Sequence, residues 1–213
     1  MSRRHSVDGG FSLSTGRRDM TLQLVTPPAA EPVTLAQAKA YLRAGYDAED
    51  ELILQLVRAA RERVEAETGR ALITRTYREV LDDWAVPGRF APPGQLRLPM
   101  PPLIAVGEIV FLDEEDAETE WPADQYFVDT DADPGRIAVR GRSTFPRPPR
   151  AIAGIRITFE AGYGTDPEDV PSALRDAVLR LTAEGYARRE AVGNSPLPLS
   201  VQALLAPYRR VRI

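Results

Sequence analysis

Along the chain the hydrophobic positions change period twice. Thr34 and Gln37 form a capping-box pattern, in which each side chain satisfies an otherwise orphaned N–H at a helix start. Leu35, Ala38 and Leu42 follow at helical spacing, and Gly45 is expected to close this short first helix. Asp47, Glu49, Asp50 and Glu51 crowd the start of a second helix, where the helix dipole favours negative charge. Ile53, Leu56, Val57, Ala60 and Val64 mark the apolar face of that helix, predicted over Asp50–Thr68, and Gly69 supplies a left-handed stop. After Leu72 the period shortens to two. Residues 74–81, 96–98, 105–112, 126–129, 136–140 and 155–160 read as six short strands separated by prolines, glycines and acidic turns. The helical period returns behind Pro171-Ser172 with Leu174, Ala177, Val178 and Leu181, and the polar stretch 186–190 ends that helix. Ser200 is placed to cap a last short helix carrying Val201, Leu204 and Leu205.

This order predicts an α+β fold: a small helical bundle, an antiparallel β domain inserted between its second and third helices, and an extended C-terminal tail. Residues 32–72 and 170–206 form the helical domain, 73–169 the inserted β domain, and 207–213 the tail. The β domain is expected to be a compact sandwich or small barrel, since no βαβ alternation occurs. Residues 1–31 read as a disordered leader, because Gly9, Gly10, Gly16, several serines and Pro27-Pro28 support no apolar stripe. No repeat at solenoid spacing is visible.

Composition narrows the function. The 213 residues include no cysteine and a single histidine, His5, near the N-terminus. Disulfide scaffolds, thiolate metal sites, cysteine nucleophiles and histidine-based acid–base catalysis are therefore unexpected, and neither a cofactor, a metal site nor an enzymatic activity is predicted. No apolar run approaches the ~20 residues that span a bilayer, so no membrane association is expected. The 27 basic and 31 acidic side chains give a net charge of −4, unlike a generally basic nucleic-acid binder. Lys39 is the only lysine, a bias that fits a GC-rich genome better than a functional demand for arginine.

Four local patterns invite chemistry. Asp113, Glu114, Glu115 and Asp116 form the densest charge run, read as a solvated hairpin or, functionally, as a surface facing DNA or an arginine-bearing neighbour. The segment 129–135 opens like a calcium loop, but Pro134 stands where the sixth-position glycine belongs and Arg140 where the bidentate acid belongs; a turn is the better reading. Gly162-Tyr163-Gly164 lacks the GxGxxG and GxxxxGK[ST] patterns and reads as a turn leaving the sheet. The end of the chain, Tyr208, Arg209, Arg210, Val211, Arg212 and Ile213, follows a stretch with no acid beyond Glu190. It can be a frayed basic end, a DNA-contacting tail or a docking peptide; its aromatic, aliphatic and arginine content favours docking.

Three blocks together resemble the head–tail connector, or adaptor, proteins of long-tailed bacteriophages and related particles. The first runs from Val33-Thr34-Leu35 through the acidic turn to Glu67-Thr68-Gly69-Arg70-Ala71-Leu72. The second is Ala161-Gly162-Tyr163-Gly164 with Val170-Pro171 and the helix behind it, and the third is Leu204-Leu205-Ala206-Pro207-Tyr208-Arg209. The arginine bias and domain layout are also similar to the adaptor of a gene transfer agent from an alphaproteobacterium. The leader ahead of Thr34 departs from the pattern by its length.

The resemblance implies a non-enzymatic ring, commonly of twelve copies, assembled in the bacterial cytoplasm and located in the neck of a virion or phage-like particle. Its partners would be the portal protein, docked by Tyr208–Ile213, a stopper or tail-completion protein, other copies of itself, and double-stranded DNA that passes without sequence-specific binding. Arg58, Arg61 and Glu65, on the charged flank of the second helix, are expected to pair between subunits. The segment 113–133, with ten carboxylates and no basic residue, is expected to face either the DNA lumen or the exterior. The rival reading is a DNA-binding packaging protein that uses basic termini, recognisable by strongly salt-dependent duplex binding.

Overall fold

The computed structural model describes residues 20–86, 92, 94–142, 144–188 and 196–209. Twelve helices and strands among them divide into a helical body and a β body. Helix α1 spans Leu35–Leu42 and α2 Asp50–Thr68; α3 (Ser172–Arg188) and α4 (Leu199–Leu205) complete the bundle. Strands β1 (Met20–Thr26) and β2 (Arg75–Leu81) flank the first two helices in sequence. Then come β3 (Gln95–Arg97), β4 (Leu103–Leu112), β5 (Glu118–Glu120), β6 (Tyr126–Asp129), β7 (Arg136–Val139) and β8 (Ile155–Ala161). The fold is α+β, with an antiparallel β domain inserted between the second and third helices.

Local chemistry explains the helix ends. The Thr34 and Gln37 capping box forms as expected: Gln37 N–H donates to Thr34 Oγ1 at 3.2 Å and Thr34 N–H to Gln37 Oε1 at 3.0 Å. Gly69 ends α2 in the left-handed region at φ 66°, its N–H reaching the Glu65 carbonyl at 2.8 Å. The end of α1 differs from expectation. Arg43, not Gly45, takes the left-handed conformation at φ 55° and lets the Ala44 N–H reach the Lys39 carbonyl. The last helix begins two residues early, with Pro198 rather than Ser200 as its N-cap.

Helices α2 and α3 form the central pair, with α1 leaning on both and α4 packed mainly on α3. Their shared core includes Ile53, Val57, Ala60, Val64, Leu72, Leu174, Ala177, Val178, Leu181, Val201 and Leu205. The β body has its own core. A five-stranded antiparallel sheet, ordered β1-β2-β8-β4-β5, packs against a three-stranded one, ordered β3-β7-β6. Strand β8 is central, and its Ile155, Ile157, Phe159 and Ala161 are all fully buried. Each of the two isoleucines and the phenylalanine contributes about 1.5–3 kcal/mol relative to exposure. Between the sheets Trp84 stacks on Phe145 at 4.2 Å and meets Trp121 edge-on at 5.6 Å.

Two antiparallel sheets around one core agree with the sandwich expectation, but the described residues form eight strands instead of six. Glu118–Glu120 pairs as β5 inside the acidic hairpin. More consequentially, the predicted leader is structured from Met20 onward. Strand β1 pairs with β2 in antiparallel register from Met20↔Leu81 to Leu24↔Tyr77. Residues 1–19 lie outside the described residues.

The two chain crossings between the bodies run side by side. Tyr163 N–H donates to the Leu72 carbonyl at 3.3 Å and Thr74 N–H to the Gly164 carbonyl at 2.9 Å. Gly162 allows this approach: its φ is 141°, and a Cβ there would lie 2.5 Å from the Thr74 nitrogen. The Gly162-Tyr163-Gly164 segment is thus a turn leaving the sheet, in a place where only glycine fits.

Candidate assembly surfaces

The helical body meets the β body through an ionic network. Glu65 accepts from the Leu72 N–H at 3.0 Å, Arg61 Nη1 at 2.9 Å and Arg75 Nη2 at 2.5 Å. Arg61 Nε donates in turn to Glu31 at 2.7 Å. Burial pushes the Glu65 carboxyl up from its ordinary value, against the opposing pull of Arg75, Arg61 and the Leu72 N–H. Burial is also the largest effect on Arg61 and works against its charge, yet the Glu65 and Glu31 carboxylates hold its value above normal.

Arg61 and Glu65 are therefore not a free flank for pairing between subunits. Each is only 6% exposed, and both are consumed inside the chain. The α2 surface carries them on the side turned towards Glu31 and β2, contacts that no helical period reveals. Arg58 remains on the outside, exposed, with its Nε 3.9 Å from Glu31.

The start of the C-terminal tail is likewise held by its own subunit. Tyr208 packs half-buried against the helical core, and its carbonyl accepts from Arg70 Nε at 3.0 Å. Arg209 forms an ion pair with Glu67 at 3.0 Å. Arg70 also pairs with Asp133, in the turn between β6 and β7, so one guanidinium ties the tail to both bodies. Arg210, Val211, Arg212 and Ile213 lie outside the described residues.

The acidic segment is less bare than its sequence suggests. Asp116 pairs with Arg150, Glu118 with Arg156 at 2.5 Å, Asp129 with Arg136 at 2.8 Å and Asp133 with Arg70. Asp113 turns inward on its own hairpin, accepting the Glu115 and Ala117 N–H groups at 3.0 and 2.8 Å. Glu114 and Glu115 are exposed. The solvated-hairpin reading thus accounts for the geometry of 113–116. Asp129 accepts the Ala132 N–H beside its arginine, as a turn-forming aspartate does. No group of three or more His, Cys, Asp or Glu placed to hold a metal ion occurs among the described residues. No helix among them is long and apolar enough to cross a membrane. An open groove between α1 and α3 is lined by Val33, Gln37, Tyr41, Arg175 and Leu179.

Sequence reasoning missed Glu31, Arg70, Arg75 and the whole of β1. The alternation of Leu22 and Leu24 with Thr21 and Gln23 was the available signal for the strand, obscured by the neighbouring Pro27-Pro28.

Comparison with solved structures gives these surfaces a setting. A chain in the neck of an empty gene transfer agent particle, computed with C6 symmetry, is 30% identical with a TM-score of 0.75, covering 90% of this chain and 96% of that one. A chain in the virion of a native gene transfer agent particle is also 30% identical, with a TM-score of 0.76 and the same coverage. This chain belongs to the neck proteins of gene transfer agent particles. A further relative, from the neck of a native particle computed with C12 symmetry, is 27% identical with a TM-score of 0.66, covering 89% of this chain and 97% of that one. No family model and no curated protein matches. The relatives are structural components of the particle, and as a member of this neck family the chain is located in the particle neck.

Proposed function

We propose that this neck protein is the adaptor of its particle. A ring of copies, twelve in the fullest form, sits under the capsid portal, extends the DNA channel and joins head to tail. The observation that carries this reading is the likeness along nearly the whole chain to particle-neck chains computed with C6 and C12 symmetry. Such symmetry calls for one surface of each copy to meet a different surface of the next.

Residues 210–213 dock on the portal in this reading. Tyr208 and Arg209 support it by fixing the point from which Arg-Val-Arg-Ile departs. Anchoring lowers the entropy lost on docking, and repeated copies around the ring multiply a weak individual contact. Arg58 contributes at the seam between copies. A stopper or tail-completion protein binds the opposite end, and duplex DNA passes through without sequence-specific contact. The role is structural rather than catalytic.

Deletion of residues 210–213 in a particle-producing strain is the direct test. Separate heads and tails, with the truncated chain still folded, are the expected result; normally joined particles would falsify portal docking by the tail. Tight duplex binding by the isolated chain, weakening steeply with salt, would favour the packaging-protein alternative.

A further inference from the structure

The five-stranded sheet ends in two unlike edges. At one end, β5 is only the three residues Glu118–Glu120 and covers just Val110–Leu112 of β4. Strand β4 itself is interrupted by two register irregularities, one between Leu103 and Ala105, the other between Val106 and Glu108. Glu118 and Glu120 disfavour pairing with a second copy of the same edge, where like charges would face each other, while no strand among the described residues covers the outer side of β5. The β1 edge is of the opposite kind. Met20–Thr26 contains no charge and no proline, and keeps register with β2 through Leu24 before a single irregularity at Val25. Leu24 and Val25 are 43% and 44% exposed. Among the described residues no strand pairs with the outer side of β1.

Register links the two edges across one face. Thr21, Val80, Arg156, Val110 and Glu120 stand in a single row, with Gln23, Arg78, Thr158 and Glu108 in the next. This is the face turned away from the core shared by the two sheets. At its β1 end, Arg78 Nε is buried without a hydrogen-bond partner among the described residues. At its other end stand the exposed Glu118 and Glu120. An uncharged open edge with an arginine one strand in, and an acidic edge opposite, are complementary surfaces on the same sheet.

We infer that β1 is the seam between copies: the β5 edge of one subunit's sheet adds to the β1 edge of the next, around the ring. This rests on the ring reading given under Proposed function. Strands in a sheet lie about 4.8 Å apart, so Arg78 and Glu120 of the next copy would be separated by two spacings, about 10 Å between backbones. Extended arginine and glutamate side chains span that gap alongside Gln23, which stands in the row of Arg78. Main-chain pairing supplies the attraction, and the charges choose β5 rather than a second β1. The contact is heterologous, so it continues from copy to copy and makes a ring where the rotation between copies closes.

The chain contains no cysteine, so a crosslink can be introduced without background. Particles assembled from the double variant Gln23→Cys with Glu120→Cys should yield, on mild oxidation, a ladder of covalent multimers above the dimer. Neither single variant should give it. Absence of a ladder in particles whose averaged map shows an intact ring overturns the seam and leaves the ring reading standing. Absence of a ring of this chain in an averaged map of the parent particles overturns both. Covalent dimers from Gln23→Cys alone would show β1 pairing with β1 and also overturn the assignment. As a second measurement, Arg78→Glu should cut the yield of joined particles at least tenfold, with recovery when Glu120→Arg is added. Wild-type assembly by Arg78→Glu, or failure of the pair to recover at an unchanged melting temperature, counts against it.

Discussion

Arg70 donates through Nε to the main-chain carbonyl of Tyr208 at 3.0 Å, while its terminal nitrogen pairs with Asp133 on the far side of the junction between the two bodies. The last described turn of the chain is therefore fixed by a residue that follows α2 immediately after Gly69. Arg70→Ala should lower stability by about 1.5–3 kcal/mol, the usual worth of a hydrogen bond to a charged group. Hydrogen exchange at Leu205–Arg209 should accelerate more than exchange in β8. Uniform acceleration would mean that Arg70 supports the whole fold and not the tail's departure point.

Truncation at two positions separates holding from docking. Removal of residues 207–213 takes away Tyr208 packing and the Arg209–Glu67 pair, so both stability and assembly should fall. Removal of residues 210–213 alone should leave the denaturant midpoint unchanged while abolishing particle joining. Thermal melts of the two proteins beside electron micrographs of the particles check the difference.

Glu65 is the shared acceptor of two arginines that are themselves buried. Glu65→Ala takes the carboxylate from Arg75 and leaves Arg61 with Glu31 and Glu62, and should cost about 3–5 kcal/mol, the range for breaking a buried pair from one side. Arg58→Ala, on the exposed face of the same helix, should change stability by less than about 0.5 kcal/mol. Urea unfolding of the two variants, compared at equal m-value, measures both.

Gly162→Ala should be among the most damaging single changes for its size. A left-handed or rarer backbone region costs a non-glycine residue about 1–3 kcal/mol. Here the added Cβ would also lie 2.5–2.6 Å from the Ile73–Thr74 backbone, where a shift must move the whole crossing. Gly45→Ala, with nothing near its Cβ, should be close to neutral. Melting temperatures of the two variants provide the comparison.

Acid sensitivity should have a surface component. A hydrogen bond from Lys39 holds the Asp47 carboxyl below its ordinary value, and Arg136 does the same for Asp129. A lowered carboxyl contributes stability that is present above the unfolded-chain value, about 3.9, and lost as pH falls through the lower folded value. Asp47→Asn and Asp129→Asn should therefore show shallower loss of stability below about pH 4 than the parent, with the same slope above it. Denaturant midpoints followed across that interval test the sign.

The second helix, its glycine stop, the capping box of the first helix and most of the strands are legible in the sequence because they are local. Periodicity and caps act within a few residues and need no knowledge of neighbours. So too is the inserted-domain layout, since the period switches from helical to alternating and back. Absence of cysteine and of a second histidine removes whole classes of chemistry by itself.

Tertiary structure decided the rest, for one physical reason: a charge or an edge has meaning only beside its partner. Arg61 and Glu65 look like a solvated flank until Glu31, Leu72 and Arg75 close over them. The acidic hairpin looks unpaired until Arg150 and Arg156 arrive from 34 and 38 residues away. Strand β1 could be recognised as a strand only beside β2, about fifty residues on. Its outer side, unpaired among the described residues, exists as an edge only once the sheet has been assembled.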